Sequence, residues 1–187
     1  MFNWLKNKVE DVAGLSDILL MRQMKKGDRD AFGKLYLRYL DAIYRYIFFR
    51  VGQEKAIAED ISETVFFKAW EHIGSFKENQ GTFKAWLYMI AKNAITDHFR
   101  KNKNKVNLEE SVLPTDNNIE EKIEYNDQVS RLMSRINLLT DDQRQVITMK
   151  YIEEMPNAEI ARILDKNEEA IRALQHRALQ KLKKLLT

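Results

Sequence analysis

The sequence has no cysteine, so disulfides and thiol chemistry are excluded and a reducing cytoplasm is the expected location. It has only two prolines and six glycines among many Leu, Ile, Ala, Lys and Glu residues, a composition that favours helices. No apolar run approaches the roughly 20 residues needed to span a bilayer. The first twelve residues contain acids and lack the apolar core of a signal peptide. These absences predict an all-α protein of the cytoplasm.

The formal net charge of +3 is unevenly distributed. Lys and Arg outnumber Asp and Glu by 19 to 13 in residues 1–105 and by 11 to 8 in residues 131–187, whereas residues 106–130 hold one basic and seven acidic residues. This acidic stretch includes Pro114 and a Thr-Asp-Asn-Asn cluster, which is typical of a flexible linker. We predict two small helical domains, at 1–102 and 127–187, joined by a flexible acidic linker at 103–126.

Residues 157–182, NAEIARILDKNEEAIRALQHRALQKL, match a helix-turn-helix. Two short helices that cross steeply need a small residue where they touch, and Ala161 supplies it. The turn is predicted at 165–167, where Asp165 takes a position that is often left-handed and that Asp tolerates better than most residues. Four aliphatic residues are spaced to face inward: Ile160, Leu164, Ile171 and Leu174.

The second of these helices is expected to enter the major groove of DNA with its N-terminal half. No acid follows Glu169, so its later turns are basic, and a Glu side chain can itself accept a hydrogen bond from cytosine. The alternative is a plain helical hairpin whose charged face serves solubility. The residues predicted to contact duplex DNA are Asn167, Glu168, Glu169, Arg172, Ala173, His176 and Arg177.

Two periodic helices are predicted in the first half of the chain. The segment DAFGKLYLRYLDAIYRYIFFRVG ends at Gly52, and EKAIAEDISETVFFKAWEHI follows. Phe67 of the second helix lies beside a polar face, where an aromatic ring is either the rim of the core or an anchor for a partner helix. The predicted apolar stripes are Phe32, Leu35, Tyr36, Tyr39, Ile43 and Ile47 on the first helix, and Ile57, Ile61, Val65 and Trp70 on the second.

A third helix, FKAWLYMIAKNAITDHFRKNKNK, combines aromatic and basic residues. Rings for base stacking beside charges that neutralise phosphates suit a single-stranded nucleic-acid site. The alternative is that Trp86, Ile90 and Ile95 belong to the core and that the lysines form a solvated face.

Taken in order, several segments resemble the extracytoplasmic-function (ECF) subgroup of the bacterial sigma-70 family. They are GDRDAF, AEDISETVFFKAW, GTFKAWLYMIAKNAITDHFRK, the acidic linker and LLTDDQRQVITMKYIEEMPNAEIARIL. The resemblance covers nearly the whole chain. It implies a sigma factor whose first domain binds core RNA polymerase and opens the downstream promoter element, and whose last domain reads the upstream element as duplex. It also implies an anti-sigma partner, with no cofactor and no small-molecule substrate.

The resemblance assigns residues to two further surfaces. In the polymerase-facing helix, the family commonly has Gln where Glu63 stands and an acid where Thr64 stands. Loop 75–81 resembles one that captures a flipped base of the non-template strand, with Glu78 at its pocket. The implied polymerase-binding residues are Asp60, Glu63, Thr64, Phe67 and Trp70. The residues implied or predicted to bind single-stranded DNA are Phe76, Lys77, Asn79, Trp86, Lys92, Asn93, Thr96 and Arg100.

Two competing functions are weighed against this one. An enzyme would need a site, but Glu71-His72 and Asp97-His98 lie on separate helices without a metal-binding spacing, and no GxxxxGK phosphate loop occurs. We therefore expect no metal and no enzymatic activity. The alternative function is a helix-turn-helix regulator, or a sigma-like adaptor without promoter-melting activity, which would need neither the single-strand loop nor the polymerase helix. Membrane association is expected only through an anti-sigma partner.

Overall fold

The computed structural model describes residues 17–77, 81–106 and 135–186, and all regular secondary structure in these ranges is helical. The first half of the chain forms α1 (Asp17–Met24), α2 (Arg29–Arg50), α3 (Lys55–His72) and α4 (Phe83–Val106), with a 3-10 turn at Ile73–Ser75 after α3. The all-α prediction is confirmed. Helix α4 extends into the predicted linker, and residues 107–126 of that linker lie outside the described residues.

The second half of the chain begins with α5 (Asp141–Ile147), which continues as a π-helical turn over Thr148–Ile152. Helices α6 (Asn157–Leu164) and α7 (Glu168–Leu186) follow. Thr140 starts α5 with a capping box, because its side chain accepts from the backbone N–H of Gln143 while the Gln143 side chain accepts from the backbone N–H of Thr140.

Residues at its two termini determine where helix α2 begins and ends. Only α4 is longer among the helices of the first half. At the start, Asp28 Oδ1 accepts hydrogen bonds from the backbone N–H groups of Asp30 at 2.9 Å and Ala31 at 3.1 Å. At the end, Gly52 adopts a φ of +74°, which favours glycine, and stops the helix where the sequence predicts.

The core of the first half forms where α1, α3 and α4 pack against α2 or against one another. Four residues of the predicted stripe on α2 are buried, namely Leu35, Tyr39, Ile43 and Ile47, while Phe32 and Tyr36 near its N-terminal end are only half-buried. The fully buried side chains here include Leu20, Met24, Leu35, Ile43, Ile47, Leu87, Tyr88 and Ile95.

Helices α6 and α7 form the predicted helix-turn-helix. Ala161 is buried, as the crossing of the two helices requires. Asp165 adopts the predicted left-handed conformation, with φ 54° and ψ 51°. Asn167 then starts α7, because its Oδ1 accepts from the backbone N–H of Ala170 at 2.8 Å. Of the four residues predicted to face inward, Ile160, Leu164 and Ile171 are buried and Leu174 is half-buried.

The two halves pack directly against each other. Helix α4 contacts α6, and α2 contacts α5. One cluster of buried residues runs through both halves and includes Ile43 of α2, Leu87 of α4 and Ile160 of α6. The sequence pattern alone predicts two domains but not this packing between them.

Tyr46 lies in this packing and gives a testable pH dependence. Burial raises its pKa to about 12, although the neighbouring Arg50 acts in the opposite direction. A tyrosine in an unfolded chain ionises near pH 10. The neutral phenol therefore stabilises the folded chain fully below about pH 10, and this contribution is lost as the pH rises through about 12.

Ultraviolet absorbance titrations of the wild-type chain and of Tyr46→Phe should therefore differ only above about pH 11. A difference curve already centred near pH 10 would contradict the buried position of this ring.

Candidate polymerase and nucleic-acid interfaces

An open apolar groove lies between α2 and α3, with a volume of about 460 Å³. Its walls are largely aromatic. The ring centroids of Phe32 and Trp70 are 5.1 Å apart, and those of Tyr36 and Phe66 are 4.7 Å apart in an edge-to-face arrangement. The lining residues are Arg29, Phe32, Tyr36, Glu63, Phe66, Phe67 and Trp70.

Three of the five predicted polymerase-binding residues line this groove, namely Glu63, Phe67 and Trp70. Asp60 and Thr64 are exposed on the same face of α3, where the Thr64 hydroxyl donates to the Asp60 carbonyl oxygen at 3.0 Å. The opposite wall, Arg29, Phe32 and Tyr36, was not predicted as part of a binding surface. Phe32 and Tyr36 fit the core stripe of α2, and no pattern in the sequence shows which helix lies beside them.

Phe67 is the most exposed large apolar side chain among the described residues, at 61%. Its ring projects at the edge of the groove, whereas the neighbouring Phe66 is buried. An apolar ring held in water beside an apolar groove is typical of a protein-binding surface.

The loop predicted to capture a base places its aromatic residue in the core. Phe76 is only 4% exposed, and its ring centroid lies 5.4 Å from that of Trp86 and 6.3 Å from that of Phe83. Its carbonyl oxygen accepts a hydrogen bond from Lys25 Nζ at 2.7 Å. The Phe76 ring therefore packs edge-to-face against the half-buried Trp86 and supports it. Lys77 is exposed, and Glu78 and Asn79 lie outside the described residues.

Three of the other predicted single-strand contacts, Asn93, Thr96 and Arg100, are exposed on α4. Arg100 donates to Asp97 Oδ1 at 3.0 Å, an exposed pair that costs little to separate. Lys92 differs, because it is half-buried and its Nζ donates to the carbonyl oxygen of Ile163 at the end of α6, at 3.1 Å. The structure thus keeps most of this face accessible but directs one of its charges into the second half of the chain.

All seven residues predicted to contact duplex DNA are exposed, on α7 and at Asn167 just before it. Arg172 lies 3.6 Å from Glu168 in an exposed pair one turn apart. Arg177 Nε donates to the carbonyl oxygen of Ala173 at 3.3 Å, and a ring nitrogen of His176 is 2.9 Å from Gln180 Nε2. The two acids of the first turn stabilise the N-terminus of α7, and the basic charge lies beyond them. The geometry therefore brings the whole predicted reading face to the surface.

Neither a metal cluster nor a membrane span is found within the described ranges. Asp97, one of the residues weighed as a metal ligand, instead lies 3.0 Å from Arg100 and 3.8 Å from Lys68. No helix in the described part of the chain is both long and apolar enough to cross a bilayer.

Comparison with protein families matches both halves of the chain. The family model for Sigma-70 region 2 matches residues 35–105, and that for Sigma-70, region 4 matches residues 130–182. These ranges contain the α3 wall of the groove, the α4 face and the helix-turn-helix.

Two curated relatives extend the similarity along the chain. The ECF RNA polymerase sigma factor SigW of Bacillus subtilis is 32% identical over 178 residues, which cover 89% of this chain and 94% of SigW. The ECF RNA polymerase sigma factor BldN of Streptomyces coelicolor is 36% identical over 173 residues, which cover 89% of this chain and 64% of BldN.

Solved structures agree with this fold. CnrH, solved in complex with the cytosolic domain of CnrY, superimposes with a TM-score of 0.69 at 25% identity, over 91% of this chain and 96% of CnrH. The sigma factor RpoE from Bartonella quintana, solved with the anti-sigma factor NepR, superimposes with a TM-score of 0.72 at 24% identity, over 83% of this chain and 96% of RpoE. On the similarity to SigW along almost its full length, the chain belongs to the sigma-70 family of RNA polymerase sigma factors, in the ECF group.

Proposed function

We propose that this chain directs transcription initiation by binding core RNA polymerase through the α2–α3 groove and promoter DNA through α4 and α7. The observation that carries the proposal is the presence on one chain of an apolar groove with the exposed Phe67 and a fully exposed reading face on α7. A regulator that only binds duplex DNA needs the second feature and has no use for the first.

In this proposal, the free energy of binding the separated DNA strand drives strand opening. Unstacking a base costs a few kcal/mol per step, which is offset when the separated strand is held by charged and aromatic residues. We infer that the exposed Asn93, Thr96 and Arg100 hold its backbone and base edges, together with Trp86 of the same helix. Lys77 and Asn79 complete the proposed single-strand contacts, and Phe76 contributes by supporting Trp86. The chain thus acts by binding and catalyses no covalent step.

The roles that we propose for the three segments of the chain follow the sequence prediction. We infer that residues 1–102 bind polymerase and the single strand, that 103–126 connect the domains, and that 127–187 read the duplex. The matched ranges 35–105 and 130–182 support this division. We infer that the chain acts in the cytoplasm, where polymerase and promoter DNA are found.

An inhibitory protein partner is also part of the proposal. CnrH was solved in complex with the cytosolic domain of CnrY, and its resemblance to this chain covers 91% of this chain. We infer that this chain likewise binds an anti-sigma protein, and that any association with a membrane occurs through that partner.

The test is reconstitution with bacterial core RNA polymerase. We expect the purified chain to form a stable complex and to initiate transcripts on genomic DNA at start sites that share upstream and downstream sequence elements. Binding to duplex DNA without binding to core polymerase would instead support the helix-turn-helix regulator.

Arg172→Ala tests the reading face of α7. Because Arg172 is exposed and its pair with Glu168 is weak, the substitution should leave folding intact and weaken binding to the upstream element by about 1–3 kcal/mol if Arg172 contacts a base. Competition between cognate and scrambled duplexes measures the discrimination, and Leu179→Ala, at an exposed position of α7 outside the predicted contacts, is the control. If Arg172→Ala discriminates between them as well as the wild type does, Arg172 does not read bases.

A further inference from the structure

The turn between α1 and α2 lies against the loop that follows α3. Lys25 Nζ, in this turn, donates to the carbonyl oxygen of Phe76 at 2.7 Å and lies 5.8 Å from the centre of the Phe76 ring. Lys26 follows Lys25, and Lys77 follows Phe76, so this bond between residues 51 positions apart brings three lysines of two segments together. We call Lys25, Lys26 and Lys77 the turn cations.

The turn cations are all exposed, and none of them forms an ion pair with another described residue. Other lysines of the surface are paired, since Lys166 lies 3.1 Å from Asp142 and Lys68 lies 3.8 Å from Asp97. The acid of the same turn, Asp28, is already engaged, because its Oδ1 accepts from two backbone N–H groups of α2. The positive charge of this surface is therefore not paired within the described part of the chain.

Lys25 can bind an anion without releasing the loop. An ammonium group has three donors, and the bond to Phe76 uses one of them. The backbone beneath it is held in place, since the N–H of Lys26 donates to the Gln23 carbonyl oxygen at 2.9 Å. A side chain that is already ordered loses less conformational entropy on binding. These features suit a lysine that binds a phosphate oxygen as a fixed point charge.

The turn cations lie at one end of the predicted single-strand contacts. The ring of Phe76 packs with Phe83 and Trp86, in the first turn of α4. Asn93 and Arg100 lie further along the same helix, beginning about 15 Å from its first residue. A strand that is held along α4 and captured at the loop would therefore reach the turn cations next.

We propose that the turn cations extend the single-strand site and bind phosphates of the non-template strand just past the nucleotide captured at the loop. A group of unpaired cations attracts a polyanion, and phosphate neutralisation by lysine is the main source of affinity for nucleic acid. None of the turn cations lines the groove between α2 and α3, which favours DNA over polymerase as their partner. The proposal rests on the proposed function, because it requires a separated strand at the loop.

Fork-shaped DNA tests the proposal on the complex of the full-length chain with core RNA polymerase. Each probe joins an upstream duplex, taken from the start sites found by reconstitution, to a single-stranded non-template strand. This strand ends at the last base of the downstream element in the short probe and continues for several nucleotides in the long probe. Each phosphate contact to a single strand contributes about 0.7 to the slope of log affinity against log salt concentration. Three contacts should make the slope for the long probe steeper by about 2.

Single substitutions assign this difference to residues. Lys26→Ala and Lys77→Ala should each reduce the difference in slope by about 0.7 and leave binding of the short probe unchanged. Both side chains are exposed, so folding should be intact. Lys55→Ala is the matched control, because Lys55 is an exposed lysine at the start of α3, about 25 Å along that helix from the end that leads to the loop. It should leave the difference in slope at its wild-type value.

The outcomes separate this proposal from the proposed function. Equal slopes for the two probes, when the wild-type complex binds both, would overturn the role of the turn cations and leave the proposed function standing. Weaker binding of Lys26→Ala to core polymerase, with an unchanged difference in slope, would assign these lysines to an acidic surface of polymerase and overturn the proposal as well. If the wild-type complex binds neither probe, the proposed function itself fails.

Discussion

Phe67→Ala should weaken binding to core RNA polymerase by about thirtyfold or more, which corresponds to about 2 kcal/mol. The ring is 61% exposed at the edge of the groove between α2 and α3, so the free chain gains little from it. On binding, a ring of this size becomes buried against the partner, and aromatic residues at the centre of an interface commonly contribute this much. Affinity is measured by competition of labelled wild-type chain with each variant for core polymerase.

Phe99→Ala is the matched control for this substitution. Phe99 is also an aromatic residue on a helix of the first half, and at 48% exposure its removal costs similarly little stability. It lies on α4, away from the groove, and should leave polymerase affinity within about threefold of wild type. Equal effects of the two substitutions would mean that the groove is not the polymerase-binding surface.

Local sequence signals predicted the helix-turn-helix in detail. Spacing identifies the four residues that are predicted to face inward, because residues three or four apart share one face of a helix. The left-handed conformation of Asp165 is predicted for an equally local reason, since Asp tolerates it better than most residues other than Gly, and the observed φ of 54° agrees. Exposure of the reading face then follows from burial of the opposite face.

Periodicity did not reveal what each apolar stripe packs against. Phe32 and Tyr36 continue the stripe of α2 but line an open groove, because α3 covers only part of them. Phe76 shows the opposite effect. It stands in a polar loop, next to residues predicted to meet solvent, yet its ring packs with Phe83 and Trp86. In both cases the tertiary arrangement decides whether the aromatic ring is exposed or buried.

The packing between the two halves was least accessible from sequence. Arg45 and Glu153 are separated by 108 positions and by an acidic segment that the charge pattern marks as a linker. Each residue taken alone fits an exposed charge on a helical surface. Local spacing does not indicate that Glu153 is buried against Arg45. This contact depends on how the two halves of the chain pack together.

Ile171→Ala should destabilise the helix-turn-helix by about 2–5 kcal/mol. Ile171 is fully buried on α7, where it faces α6, and removing its outer carbons leaves a cavity that the two helices cannot fill without shifting. The loss should appear as a lower midpoint in urea unfolding followed by circular dichroism. It should also appear as faster hydrogen exchange in α6, since α6 and α7 hold each other in place.

Leu179→Ala, on the same helix, separates burial from helix propensity. Both substitutions introduce alanine into α7, but Leu179 is 45% exposed and its loss should cost no more than about 0.5–1 kcal/mol. If Ile171→Ala costs no more than Leu179→Ala, the crossing of α6 and α7 is not a packed core. If it costs the expected amount, duplex binding by Ile171→Ala should recover on cooling towards the temperature of maximum stability, because the reading residues themselves are intact and only the fraction of folded helix-turn-helix has changed.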